Sequence, residues 1–137
     1  MKVVWVSALV LENEKGEILL TQRPMGKEMA GLWEFPGGKI EQDESPEEAL
    51  IREIKEELNI NLNKKSLVPL TFVSHVYATF QLVMLVFHCK QWQGEIQLME
   101  QQGGFQWADL QTLDPAHLPA ADQPLVEFLR SACMTDK

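Results

Sequence analysis

Between Val3 and Leu11 the chain reads VVWVSALVL, apolar at every position except Ser7. A run without alternation indicates a strand covered on both faces. It could pass for the core of a secretory signal, but no small-residue cleavage site follows and it is too short to cross a bilayer, so a buried strand is expected. Asn13 to Gly16 is a turn signal and Glu17 to Arg23 regains strand character, so the two runs predict a hairpin at the heart of a sheet. Pro24 to Leu32 breaks the pattern and reads as a loop. After Ser45 the period changes. Leu50, Ile54 and Leu58 recur every four residues, the spacing of one helix face, behind an N-cap serine, a first-turn Pro46 and a capping-box Glu48. A helix from Pro46 to Leu58 follows. Beyond it the pattern predicts a strand near Val68 to Tyr77, a strongly apolar strand from Phe80 to Lys90 and a glutamine-rich loop. A short strand near Gly104 to Ala108 and a helix over roughly Gln123 to Cys133 complete the reading, with no repeats, linkers or low-complexity tracts.

At 137 residues, 45% hydrophobic and 23% charged, the chain has the size and balance of one soluble globular domain spanning residues 1–137, large enough to bury a core. A formal net charge of -8 argues against a nucleic-acid polymer as partner, since such binding depends on basic surface. A free nucleotide stays open, through a metal. Cys89 and Cys133 form neither a disulfide framework nor a ligand spacing, and the three histidines are scattered. Free thiols, a reducing cytoplasmic setting, no zinc site, no membrane partner and a monomer are therefore the expectations.

Within the helix, Glu53, Glu56 and Glu57 stand at i, i+3 and i+4 on a face distinct from the leucine stripe, so three carboxylates should converge on one point. Like charges at those spacings destabilise a helix by roughly a few tenths of a kcal/mol per pair, so the arrangement needs a cation. Arg52 and Lys55 offset part of this. A hard divalent ion such as Mg2+, bound by carboxylate and carbonyl oxygens, offsets more. A solvated acidic face is the commoner fate of such a charge run and is the better account of the helix taken alone, so the residues before it carry the decision.

Gly38, Glu44, Arg52, Glu53, Ile54, Glu56, Glu57 and Ile60 fall on the pattern G-x5-E-x7-R-E-U-x-E-E-x-G-U, with U a bulky aliphatic residue. The stretch resembles the Nudix box. One position departs: Asn59 replaces the box glycine just past the helix end, where a left-handed backbone is expected and Asn is the next best choice. Gly31 to Lys39, read GLWEFPGGK, and Leu118 to Leu125, read LPAADQPL, extend the resemblance to the MutT-type branch. That resemblance implies an α/β (α+β) fold, a mixed β-sheet sandwiched between α-helices. It implies hydrolysis of a nucleoside triphosphate to the monophosphate and pyrophosphate, most naturally of 8-oxo-dGTP in sanitising the nucleotide pool and preventing mutation. It also implies Mg2+, with Mn2+ as the alternative ion, held by Glu53, Glu56, Glu57 and the carbonyl of Gly37, with Arg52 orienting the glutamates.

For the general base, Glu53 is the first candidate. Glu100, on the loop before Trp107, is the second, and a solvated loop charge explains it as well. Glu44 is expected to support the loop. Arg23 and Lys39 are phosphate contacts by position, though ordinary surface cations would fit; Glu34, Phe35, Gly37 and Gly38 are expected to line the substrate site with them. Asp122 stands where MutT-type relatives use an asparagine to read the oxidised guanine, whose N7 carries a hydrogen. An ionised aspartate only accepts, and needs a raised pKa to imitate the amide. It also suits the exocyclic amine of cytosine, which keeps a CTP or methylated dCTP pyrophosphohydrolase as the runner-up. Capping of the last helix is the plain structural alternative. Phe35, Tyr77 and Phe80 wall the base or simply pack. A non-catalytic nucleotide-binding module is the remaining class, against which the retained Arg52, Glu53, Glu56 and Glu57 argue.

Overall fold

The computed structural model describes residues 1–24, 26, 29–99 and 103–132. Its strands are β1 (Lys2–Leu11), β2 (Ile18–Gln22), β3 (Trp33–Glu34), β4 (Gly37–Lys39), β5 (Val68–Val76), β6 (Phe80–Cys89) and β7 (Gly104–Ala108). Its helices are α1 (Pro46–Leu58) and α2 (Gln123–Ser131). The strands divide into a four-stranded mixed sheet of order β4-β1-β6-β5 and a three-stranded sheet of order β3-β2-β7. β1 runs parallel to β6 along its whole length, from Lys2 opposite Phe80 to Leu11 opposite Cys89.

The turn after β1 forms as the sequence indicates: the Asn13 side chain accepts from the N–H groups of Lys15 and Glu17. The hairpin does not. Past the turn the two strands share only the bridge between Glu12 and Ile18, and each becomes an inner strand of a different sheet. Neither run alternates, so neither carries a pattern that selects its neighbour. β3 and β4 begin after the loop read over Pro24 to Leu32, where the pattern predicts no strand, and each is too short to show a period.

Successive residues of β1 point to opposite faces, and that alternation builds the core in two parts. Leu9 and Leu11 meet Leu50, Ile54 and Leu58 of α1, together with Phe87. Ala8 and Val10 meet Leu125, Val126 and Leu129 of α2 on the other face, together with Ile18 and Leu20 of β2. A helix thus covers each face of the sheet layer, the α+β arrangement expected. Each of these fully buried leucines contributes about 1.5–3 kcal/mol.

Both ends of α1 are determined locally. Ser45 accepts from the Glu48 N–H and the Glu48 carboxylate accepts from the Ser45 N–H at 2.9 Å, completing the capping box. Asn59 closes the helix at φ 59°, ψ 30°, its N–H donating to the Lys55 carbonyl at 3.0 Å. Its side-chain amide also donates to Gln97 at 3.1 Å, a contact the sequence does not announce.

Candidate functional site

Two adjacent glycines set how closely α1 approaches the sheet. At Gly37, φ is 153° and a Cβ would lie 2.0 Å from the Ser7 carbonyl oxygen, so the β1–β4 pairing excludes a side chain there. At Gly38 a Cβ would lie 2.3 Å from the carboxyl carbon of Glu53. The missing side chain is the space that the Glu53 carboxylate occupies. Ser7 adds a tie, its hydroxyl donating to the Pro46 carbonyl at 2.8 Å and holding the first turn of α1 on β1.

Arg52 organises the acidic face. Its Nε and Nη2 donate to Glu44 at 2.6 and 2.9 Å, and Nη2 also reaches the Lys39 carbonyl at 3.1 Å. Its Nη1 donates to Glu53 at 3.1 Å and to Glu56 at 3.5 Å. The Arg52 hydrogen bonds, helped by the Glu41 N–H, hold the Glu44 carboxyl down at about 2, while the same pairing pushes the Arg52 pKa upward. Glu44 therefore anchors the loop to α1, in the supporting position expected of it.

The three glutamates leave one side of α1 but do not converge as the helical spacing suggests. Among the described residues no group of three His, Cys, Asp or Glu side chains is gathered to hold an ion. Arg52 draws Glu53 and Glu56 to itself, Glu56 stays exposed, and Glu57 faces a cleft. Like charges separate when each has its own surroundings. The donors on this face are nonetheless carboxylate and carbonyl oxygens only, the set that suits a hard divalent ion, and Gly38 leaves the room in which Glu53 lies.

A cleft of about 770 Å³ is lined by Glu57, Gly37, Gly38, Lys39, Arg23, Glu34, Phe35 and Asp122. It brings the expected substrate residues together. Val6, Leu82 and Met84 form an apolar floor that sequence reasoning did not single out. The signal was present in the alternation of Phe80, Leu82 and Met84 along β6, which turns them to one face. Arg23 pairs with Glu34 at 3.2 Å, and burial raises the Glu34 pKa against the lowering effect of Arg23. Glu100 lies outside the described residues, as does Cys133, while Cys89 is a free, buried thiol.

Asp122 is buried in the wall of the cleft. It stands at the N-cap position of α2 yet makes no side-chain cap, so the capping alternative does not hold. Its carboxylate instead accepts from the Phe35 N–H at 3.2 Å. Burial, reinforced by the nearby Glu34 charge and opposed by the Phe35 hydrogen bond and by Arg23, pushes its pKa up to about 7. At neutral pH this carboxyl can both donate and accept.

The family model of the NUDIX domain matches residues 7–128. The chain belongs to the Nudix family. A Nudix relative in Haemophilus influenzae named 8-oxo-dGTP diphosphatase is 37% identical, the match covering 93% of this chain and 92% of the relative. An Escherichia coli protein named CTP pyrophosphohydrolase is also 37% identical, over 93% of this chain and 91% of its own length. The crystal structure of a MutT NUDIX hydrolase from Burkholderia pseudomallei superposes with a TM-score of 0.80 at 30% identity, covering 93% of this chain and 98% of that one. Nudix proteins are generally dependent on a divalent metal and act on small nucleotides, and membership supports hydrolase activity for this chain. Among the described residues no helix is long and apolar enough to cross a membrane.

Proposed function

We propose that the protein hydrolyses 8-oxo-dGTP to 8-oxo-dGMP and pyrophosphate, with the whole chain acting as one domain and a monomer. The observation that carries this reading is Asp122: a buried carboxyl lining the cleft, bonded to the Phe35 N–H, with a pKa pushed up to about 7. In its protonated form it can offer one acceptor and one donor, the pair that the N7-H and O6 of 8-oxoguanine require. Ordinary guanine, with an acceptor at N7, satisfies only half of this pattern. The ionised form instead favours the cytosine amine. The equal identity to a CTP pyrophosphohydrolase supports that second reading.

Glu53, Glu56, Glu57 and the Gly37 carbonyl would hold Mg2+, or Mn2+ in its place. When bound, the ion neutralises charge on the phosphates and lowers the pKa of a water. Arg52 holds Glu53 in place from one side and Gly38 admits it from the other, so the Glu53 carboxylate can take the proton of the attacking water. Lys39 and Arg23, which line the cleft with Glu57 and Asp122, would take the phosphate chain. The water oxygen bonds to phosphorus, the bridging P–O bond breaks, and pyrophosphate leaves with the monophosphate as the other product. Glu57→Gln tests this site because it keeps shape and removes one anionic ligand. Pyrophosphate release at saturating Mg2+ should fall by about two orders of magnitude or more, with an unchanged melting temperature. Near-normal turnover would show that the acidic face of α1 is not the site.

A further inference from the structure

Two of the glutamates assigned to the ion, Glu56 and Glu57, stand in the last turn of α1. The last four carbonyls of a helix have no partner within it, so this turn frays unless N–H groups reach it from outside. Here they do. The Lys55 carbonyl accepts from the Asn59 N–H at 3.0 Å, the Glu57 carbonyl from the Met99 N–H at 2.9 Å and the Leu58 carbonyl from the Gln97 N–H at 2.9 Å. Just beyond the helix, Asn61 and Gln93 exchange both backbone bonds, at 2.9 and 3.0 Å. The glutamine-rich segment 93–99 is thus zipped along the end of α1. Its side chains alternate: Ile96 and Leu98 pack on the core cluster that holds Leu58 and Ile60, while Glu95, Gln97 and Met99 are exposed. One side-chain bond joins the two pieces, the Asn59 amide donating to the Gln97 side-chain oxygen at 3.1 Å.

We propose that segment 93–99 is a positioning strap for the last turn of α1, where Glu56 and Glu57 would hold the divalent ion, with the bond between Asn59 and Gln97 as its lock. The inference rests on the reading of the acidic face as the metal site and extends it to a segment that supplies no ligand. A set of carboxylates is only as precise as the backbone that carries it, and the Met99 N–H fixes the peptide of Glu57 itself. Asn59 is also the one departure from the box pattern. A glycine there would take the left-handed backbone more easily but has no amide to offer Gln97. The departure therefore makes a bond that the box residue cannot make.

Asn59→Gly and Gln97→Ala each open the lock, and the double variant completes a cycle. Binding of Mn2+ to the nucleotide-free protein would be measured for all three and for Glu57→Gln, together with melting temperature and hydrogen exchange at the Gln97 and Met99 amides. Each single variant should weaken Mn2+ binding about three- to fivefold, with an unchanged melting temperature. Exchange at the two amides should quicken while the buried turns of α1 stay protected. The double variant should bind Mn2+ no more weakly than the weaker single, because both changes break the same bond. Wild-type Mn2+ affinity in both single variants, where Glu57→Gln binds more weakly, would overturn the proposal. Losses that simply add in the double variant would overturn the lock. A melting temperature that falls in step with Mn2+ affinity would overturn it as well, as the mark of a general structural role. Unaltered Mn2+ affinity in Glu57→Gln would instead remove the metal-site reading beneath it.

Discussion

A single side chain carries most of the specificity argument. Asp122 titrates near 7 because folding removes it from water, and the Phe35 N–H and Arg23 return only part of the lost solvation. The folded state thus holds this proton more tightly than the unfolded chain does. Stability attributable to Asp122 must fall as pH rises from 3.8 to about 7 and stay level above. Asp122→Asn cannot ionise, so its stability relative to wild type should climb over that window by up to about 4 kcal/mol. Thermal melts of both proteins across the range measure this, and a gap independent of pH would mean the carboxyl is not strained by burial. The sequence announced that a raised pKa was needed here for an asparagine-like role. It could not announce the cause, because Phe35 and Glu34 are far from Asp122 along the chain and only the cleft brings them together.

At the scale of elements, legibility follows the range of the forces. α1 was readable to the residue because its start is written in Ser45, Pro46 and Glu48 and its face in Leu50, Ile54 and Leu58, all local. The β1–β2 hairpin was misread because strand partners are chosen by distant segments, β6 for one and β7 for the other. Helical spacing fixes where the glutamate side chains start, and Arg52 decides where Glu53 and Glu56 end. The two glycines of β4 separate fold from chemistry. Gly37→Ala would drive a methyl into the Ser7 carbonyl at a strained φ, and should lower stability by about 1–3 kcal/mol or more. Gly38→Ala meets only the movable end of Glu53, so the melting temperature should hold while activity falls by about a hundredfold. Melting curves and turnover of the two variants would expose a reversed order. Asn59→Gly exchanges an exposed bond to Gln97 for an easier left-handed backbone, and should change stability by no more than about 0.5 kcal/mol in denaturant titrations.

Across the whole molecule, a net charge of -8 means that a polyphosphate is not drawn in by the overall field. In the proposed reaction its affinity would come from Arg23 and Lys39 in the cleft and from the divalent ion that the acidic face would hold. Glu57 of the acidic face and Asp122 line the same cleft. The central claim is that Asp122 in this cleft reads an oxidised purine. It is tested most directly by kcat/KM of the wild-type protein on 8-oxo-dGTP, dGTP and CTP with Mg2+ at neutral pH, scored by pyrophosphate release. The account predicts 8-oxo-dGTP ahead of both others by at least about tenfold. Equal efficiency on 8-oxo-dGTP and dGTP, with CTP faster than either, would contradict it and identify Asp122 as an ionised cytosine acceptor.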